Sequence, residues 1–158
     1  DPDISKATLQ AEGPISWGVA QTFMTWWISS DGKQAIVLRG NEFLWFLTFF
    51  MFVFEIGWII TRGILKKSWP IDKNETILLL GYIFNYAPFF LIHRPMYLYH
   101  YLTSFIFLLL LIPRVAPRMI TCISNITNDK TLATTIMYFS ILLVIVNFFL
   151  LAKTTYGF

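Results

Sequence analysis

Charged residues are scarce in this sequence. Lys, Arg, Asp and Glu make up 13% of its 158 residues, whereas hydrophobic residues make up 56%. A soluble domain of this size carries roughly 25% charged residues, because water must solvate its surface. The composition therefore excludes a soluble domain and indicates that lipid covers much of the surface. The net charge of +3 is small, so we expect no nucleic-acid partner.

Cysteine and histidine are also rare. Cys122 is the one cysteine of the chain, which excludes an internal disulfide framework. The two histidines have no partners at metal-ligand spacing, and neither a glycine-rich phosphate loop nor a GxSxG motif is present. We therefore expect no metal, no cofactor and no catalytic residue of a soluble-enzyme type. The chain begins at Asp1 without the features of a signal peptide, and we expect a processed chain or a piece of a longer one.

Long apolar runs dominate the remaining sequence. About 20 mostly apolar residues are needed for a helix to cross the ~30 Å hydrocarbon core of a bilayer. Four runs meet or approach this length: 43–60, 77–92, 95–112 and 132–152. Backbone groups in lipid must pair within their own segment, so these runs predict helices and not strands. The sequence thus predicts an all-α membrane protein, with four transmembrane helices in residues 41–158.

Residues 1–40 differ from the rest because they mix polar residues with tryptophans. One face at helical spacing carries Trp17, Ala20, Met24, Trp27 and Ile28. This pattern is typical of an interfacial helix that lies on the bilayer. A loop with tryptophans at the headgroup level is the alternative. In either case we predict an extracytoplasmic, interfacial segment.

The basic residues predict the orientation. Loops on the cytoplasmic side of a membrane are enriched in Lys and Arg. The loop after the first span and the loop after the third hold most of the nearby basic residues, namely Arg62, Lys66, Lys67, Lys73, Arg114, Arg118 and Lys130. Both termini and a tight hairpin at His93-Arg94-Pro95 are then extracytoplasmic. The glycosylation sequons at Asn74 and Asn125 lie in the cytoplasmic loops, and we expect neither to be used.

A polar cluster lies at the outer end of the third span. Arg94, Tyr97 and Tyr101 share one helical face, and His93, Tyr97 and His100 share an overlapping one. A guanidinium with phenol and imidazole donors nearby is suited to binding a lipid phosphate or pyrophosphate. The alternative is an aromatic belt with an arginine that extends to the interface.

Three polar residues interrupt the spans. An ionisable group such as Glu55 usually faces a bundle interior or a cavity and is often functional; the alternative is a glutamate that is hydrogen-bonded to another helix. Asn85 and Asn147 are expected to form interhelical hydrogen bonds.

The order of motifs resembles the C-terminal membrane region of the protein O-mannosyltransferases. The stretch 79–91 (LLGYIFNYAPFFL), then Arg94, then 97–102 (YLYHYL) is similar to a Tyr-x-Pro-Phe-Phe-like run, an arginine and a His-Tyr-Leu motif in that family. Three further pieces resemble family motifs: Gly40-Asn41 before Phe43-Leu44-Trp45, Ser16-Trp17 with Trp26-Trp27, and Thr155-Tyr156-Gly157. The chain departs from the family pattern at Glu42 and Thr103, where the family has prolines, and it lacks a histidine-proline start to the tryptophan segment.

The resemblance implies a GT-C type fold and an enzyme that transfers mannose, with inversion, from polyprenyl-phosphate mannose to Ser or Thr of a protein or peptide. The family's catalytic acidic pair lies in an early outer loop, upstream of Asp1. The chain would therefore act with membrane lipids and the rest of the same enzyme, and it would be inactive alone. Arg94, Tyr97, His100 and Tyr101 would bind the lipid phosphate.

Two other functions stay open. One is a related GT-C transferase that uses another lipid-linked sugar. The other is a non-enzymatic four-helix membrane subunit or transporter, in which Glu55 would be the functional residue. The composition favours a bacterial plasma membrane as the location, with the endoplasmic reticulum membrane as the alternative.

Overall fold

The fold consists mainly of long helices. A computed structural model describes residues 14–18, 23–33, 35–66, 69–92 and 98–156. The N-terminal part contains α1 (Pro14–Gly18), β1 (Phe23–Ile28) and β2 (Ala35–Arg39). The long helices are α2 (Glu42–Lys66), α3 (Lys73–Tyr86), α4 (Leu102–Thr127) and α5 (Lys130–Tyr156). Two 3₁₀ helices, Ala87–Leu91 and Leu98–Tyr101, lie between α3 and α4. The predicted multi-pass helical membrane architecture is confirmed.

Three helices in the described part are long and apolar enough to cross a membrane: Glu42–Leu65, Tyr99–Thr127 and Lys130–Ala152. The second predicted span, 77–92, instead consists of α3 and the 3₁₀ helix that follows it. The change of helix type coincides with Pro88, which cannot donate a backbone hydrogen bond. At the usual rise per residue the two helices together extend about 31 Å, close to the thickness of a hydrocarbon core.

The third predicted span, 95–112, differs from the observed helix at both ends. The hairpin predicted at 93–95 lies outside the described residues. Helix α4 continues past Ile112 to Thr127, although it contains Pro113 and Pro117. Prolines are tolerated inside membrane helices because neighbouring groups can satisfy the freed backbone carbonyls. The three basic residues predicted in a loop after this span therefore lie on helices: Arg114 and Arg118 on α4, and Lys130 at the start of α5.

The N-terminal segment forms a β-hairpin. Strands β1 and β2 pair antiparallel, and the turn between them is closed by a hydrogen bond from Gly32 N–H to Ser29 O (2.9 Å). Gly32 has a φ of +68°, a conformation that glycine adopts without strain. The predicted helical face through Met24, Trp27 and Ile28 is therefore wrong, because these residues lie in β1. Adjacent strand residues point to opposite faces, so Trp27 and Ile28 do not share one.

Asn41 joins the first long helix to the last. Its Oδ1 accepts a backbone N–H in the first turn of α2 (3.0 Å), and its Nδ2 donates to Val144 O in α5 (2.8 Å). For Asn85, the hydrogen bond that the structure describes lies within α3, where Nδ2 donates to Gly81 O (2.8 Å). The Oδ1 of Asn147 is buried and has no hydrogen-bond partner among the described residues.

Three helices meet at the guanidinium of Arg118 in α4. Its Nη1 lies 2.9 Å from Oε1 of Glu55 in α2, and its Nη2 contacts Oε1 of Glu75 in α3. The Glu55 side chain is 0% exposed and that of Glu75 is 5% exposed. One helical turn earlier, Arg114 lies 2.7 Å from the exposed Asp72, whose other carboxylate oxygen caps α3 by accepting the Glu75 N–H (2.8 Å).

Close packing holds α3 against α4. A Cβ atom added at Gly81 would overlap the ring of Phe107, so only glycine allows this approach. Small residues at helix contacts let membrane helices approach closely.

We expect Arg118→Gln to lower the free energy of unfolding by about 3–5 kcal/mol, because it leaves two buried carboxylates without a cation. Arg114→Gln is the matched control. It removes an exposed ion pair from the same helix and should cost only about 0–1 kcal/mol. Thermal and denaturant unfolding of the intact protein in detergent micelles would measure both. Equal losses in the two variants would show that the buried cluster adds nothing beyond an exposed pair.

We expect Gly81→Ala to lower stability by about 1–3 kcal/mol, the usual cost of overpacking, because the Phe107 ring must move. Gly57→Ala in α2 is the control, because no atom lies within 4 Å of its added Cβ. That variant should unfold at the same temperature as the natural protein or slightly higher, since alanine favours helix over glycine. The same unfolding assay applies, and a Gly81→Ala protein as stable as Gly57→Ala would contradict the predicted clash.

Candidate functional site

Two of the four predicted phosphate-binding residues, His100 and Tyr101, lie at the end of the bundle opposite to Arg118. Arg94 and Tyr97 lie outside the described residues. His100 and Tyr101 lie in the 3₁₀ helix Leu98–Tyr101, directly before α4. Around them is an aromatic cluster contributed by α1, α2, α3, both 3₁₀ helices and α4: Trp17, Trp45, Tyr82, Tyr86, Phe89, Tyr99 and Phe105.

Tyr101 belongs to the core of this cluster. It is 2% exposed. Its ring lies edge-on to Trp45, with ring centroids 5.6 Å apart, and 5.1 Å from that of Tyr86. Aromatic pairs at these separations stabilise a fold beyond the area that they bury. The observed contacts of Tyr101 therefore hold the 3₁₀ helix against α2 and α3.

His100 is half-buried, and three aromatic rings surround its imidazole. Trp17 is nearly parallel to it, with an interplanar angle of 11° and ring centroids 6.3 Å apart. Tyr99 is stacked on it at 4.2 Å and 26°. Phe89 lies edge-on to the imidazole at 5.7 Å and 68°. The plane of the imidazole is thus restricted by its neighbours.

Trp17 anchors α1 to this cluster. Its side chain is 0% exposed, and Phe89 packs edge-on against it at 5.5 Å. A hydrogen bond from the Tyr86 hydroxyl to Pro14 O fixes the start of the same short helix. The sequence pattern predicted Trp17 in an interfacial segment, whereas the structure buries its side chain in this cluster.

Glu55 lies in the ionic cluster and not in the aromatic one. Its Oε1 accepts from Arg118, whereas its Oε2 is buried without a hydrogen-bond partner among the described residues. The partner that the sequence did not identify is therefore Arg118, which is 63 residues away along the chain. This geometry favours a bond between helices as the role of Glu55.

Metal binding has no support in the described part of the chain. No group of three or more His, Cys, Asp or Glu side chains there could hold a metal ion. Among the described residues, the aromatic end offers an imidazole at His100 and the stacking surfaces of the rings around it.

Comparisons with known proteins agree with this architecture. A family model described as the C-terminal four-transmembrane region of protein O-mannosyltransferase matches residues 8–158. Dolichyl-phosphate-mannose--protein mannosyltransferase 1 of Saccharomyces cerevisiae is 30% identical over 104 residues, which are 60% of this chain and 12% of the relative. Protein O-mannosyl-transferase 1 of Mus musculus is 30% identical over 114 residues, which are 65% of this chain and 15% of the relative.

A solved structure shares the fold. It is the S. cerevisiae protein O-mannosyltransferase Pmt1-Pmt2 complex bound to the sugar donor, and the match has a TM-score of 0.69 at 21% sequence identity. The match covers 92% of this chain and 21% of that chain. The chain thus spans less than a quarter of the length of the proteins it matches. Because the family model covers nearly all of it, the chain belongs to the protein O-mannosyltransferase family, and it corresponds to the family's C-terminal four-transmembrane region.

Proposed function

We propose that this chain is the C-terminal membrane part of an enzyme that transfers mannose from polyprenyl-phosphate mannose to Ser or Thr hydroxyls of proteins. The observation that carries the proposal is the family match over residues 8–158. The name of the yeast relative supports the donor and acceptor, because it describes dolichyl-phosphate mannose and protein. The solved neighbour is a protein O-mannosyltransferase complex bound to the sugar donor, which is consistent with this proposal.

The part played by this chain is to hold the leaving group. Mannosyl transfer needs a general base for the acceptor hydroxyl, and we place that carboxylate in the family's early outer loop, outside this sequence. The leaving group is a lipid phosphate, whose negative charge grows as the glycosidic bond breaks. Preorganised donors lower the energy of such a transition state. Arg94, Tyr97 and His100 are the donors that we propose, and Tyr101 packs in the aromatic core next to His100 in the chain.

The charge distribution supports an extracytoplasmic position for these donors. Arg62, Arg114 and Arg118 lie towards the opposite end of the bundle from the aromatic cluster. Basic residues concentrate on the cytoplasmic side, so His100 lies towards the other side. Both termini are then extracytoplasmic. The relatives named above are eukaryotic, which supports the endoplasmic reticulum membrane over the bacterial plasma membrane.

We expect Arg94→Ala in the intact enzyme to reduce kcat for mannosyl transfer by about 10²–10³-fold, the effect of removing one preorganised donor to a transition-state charge. Arg114→Ala, which removes an exposed arginine from the ionic end, is the control and should retain full activity. Transfer to a Ser/Thr peptide from polyprenyl-phosphate mannose would measure both. An Arg94→Ala enzyme that is folded and fully active would eliminate the proposed role. Faster transfer from polyprenyl-phosphate glucose or arabinose would instead favour the related GT-C transferase.

We expect no glycan on Asn74 or Asn125 when the intact protein is made in a eukaryotic cell. Both side chains are exposed, and in the proposed orientation both lie on the cytoplasmic side, where oligosaccharide transfer does not occur. Mass spectrometry of tryptic peptides would detect a glycan. A sequon inserted between β1 and β2 is the positive control and should be glycosylated. A glycan on either natural sequon would reverse the orientation.

A further inference from the structure

We propose that Trp17 is a positioning residue for His100, so that the segment before the first membrane helix forms part of the phosphate-binding end. This inference deepens the proposed function and rests on it. Trp17 touches neither donor nor acceptor in this scheme. It acts by holding the imidazole in the plane from which His100 can donate to the phosphate.

The geometry of the three rings supports this role. Trp17 lies 11° from parallel to the imidazole, and Phe89 is edge-on to both rings, at 5.5 Å from Trp17 and 5.7 Å from His100. Phe89 belongs to the 3₁₀ helix after α3, and His100 belongs to the 3₁₀ helix before α4. Trp17 therefore completes a group of three rings whose members come from three separate elements.

Trp17 is held firmly enough to restrain another side chain. Its side chain is 0% exposed, whereas Ile15 on the same short helix is 76% exposed. The hydrogen bond between the Tyr86 hydroxyl and Pro14 O fixes the backbone of α1. A buried ring on an anchored backbone has few rotamers available, so it can limit the movement of the imidazole beside it.

The contact that matters is the face of the indole and not its N–H group. Nε1 of Trp17 is buried and has no hydrogen-bond partner among the described residues. A buried donor without a partner costs stability, so hydrogen bonding does not explain a tryptophan at this place. Its large planar surface does, because stacked rings gain from contact area and orientation together. Phenylalanine should therefore replace it better than an aliphatic residue does.

The test compares Trp17→Phe with Trp17→Leu in the intact enzyme. Both remove the N–H and both keep an apolar side chain, but only phenylalanine keeps a ring. We expect Trp17→Leu to lower kcat about tenfold or more, since small misplacements of a catalytic group are costly, with the KM for the acceptor peptide unchanged. The kcat of Trp17→Phe should stay within about threefold of that of the natural enzyme, because the phenyl ring keeps the imidazole close to its position. Ile15→Leu, on the exposed side of α1, is the control.

Combining variants separates positioning from simple packing. If Trp17 acts through His100, Trp17→Leu should add no further loss of kcat to a His100→Ala enzyme, because coupled residues are non-additive. Losses that multiply in the double variant, or equal activities of Trp17→Leu and Trp17→Phe, would overturn the inference.

Failure of this inference is distinguishable from failure of the proposed function. If His100→Ala lowers transfer while Trp17→Leu retains it, Trp17 has no positioning role and the phosphate site stands. If Arg94→Ala and His100→Ala both retain transfer, the phosphate site itself is wrong, and the role of Trp17 is wrong with it.

Discussion

The guanidinium of Arg118 holds α2, α3 and α4 together at one end of the bundle. It faces Glu55 and Glu75, which come from two different helices and are both buried. Two carboxylates in an apolar environment repel each other and lose their hydration, so removing the cation would destabilise the packing of the three helices. The short helix α3 depends on this contact most, because both Asp72 and Glu75 at its start face arginines of α4.

The ionic end and the aromatic end of the bundle are linked through α3. This helix begins among the carboxylates, passes Phe107 at Gly81, and leads into the 3₁₀ helix that carries Phe89. The ring that packs against His100 is therefore carried by the same continuous stretch of helix that begins at the ionic cluster. Different interactions stabilise the two ends. Buried ion pairs hold the ionic end together, and close contacts between aromatic rings hold the other end together.

Much of the helical fold was predictable from the sequence, because the apolar runs are long and charges are few. The residues at which the helices begin and end were harder to predict. A proline such as Pro113 usually ends a helix in water, but α4 continues through it, because neighbouring groups in a membrane protein can satisfy the backbone carbonyl that the proline frees. Met24, Trp27 and Ile28 fall at helical spacing, but they lie in β1, which pairs with β2 across the turn at Gly32.

The candidate site was predictable only in part. Helical spacing and the family-like motif both pointed to His100 as a candidate, since both depend on local sequence. The environment of His100 depends on contacts between distant parts of the chain, which local patterns do not encode. The burial of Trp17 and the pairing of Glu55 with Arg118 both belong to this class. A tryptophan in a polar segment and a glutamate in an apolar one each have several explanations until the neighbours are known.

The length of α4 determines how deep the ionic cluster lies in the bilayer. The 26 residues of α4 extend about 39 Å at the usual helical rise, which exceeds the ~30 Å hydrocarbon core. Arg118 lies about 24 Å from the start of the helix on the same rise, so a helix that begins at one boundary of the core places it roughly one turn short of the other boundary. A locally thinner bilayer would expose this cluster to water, and a thicker one would bury it further. The stability of the bundle is therefore coupled to the hydrophobic thickness of the membrane around it.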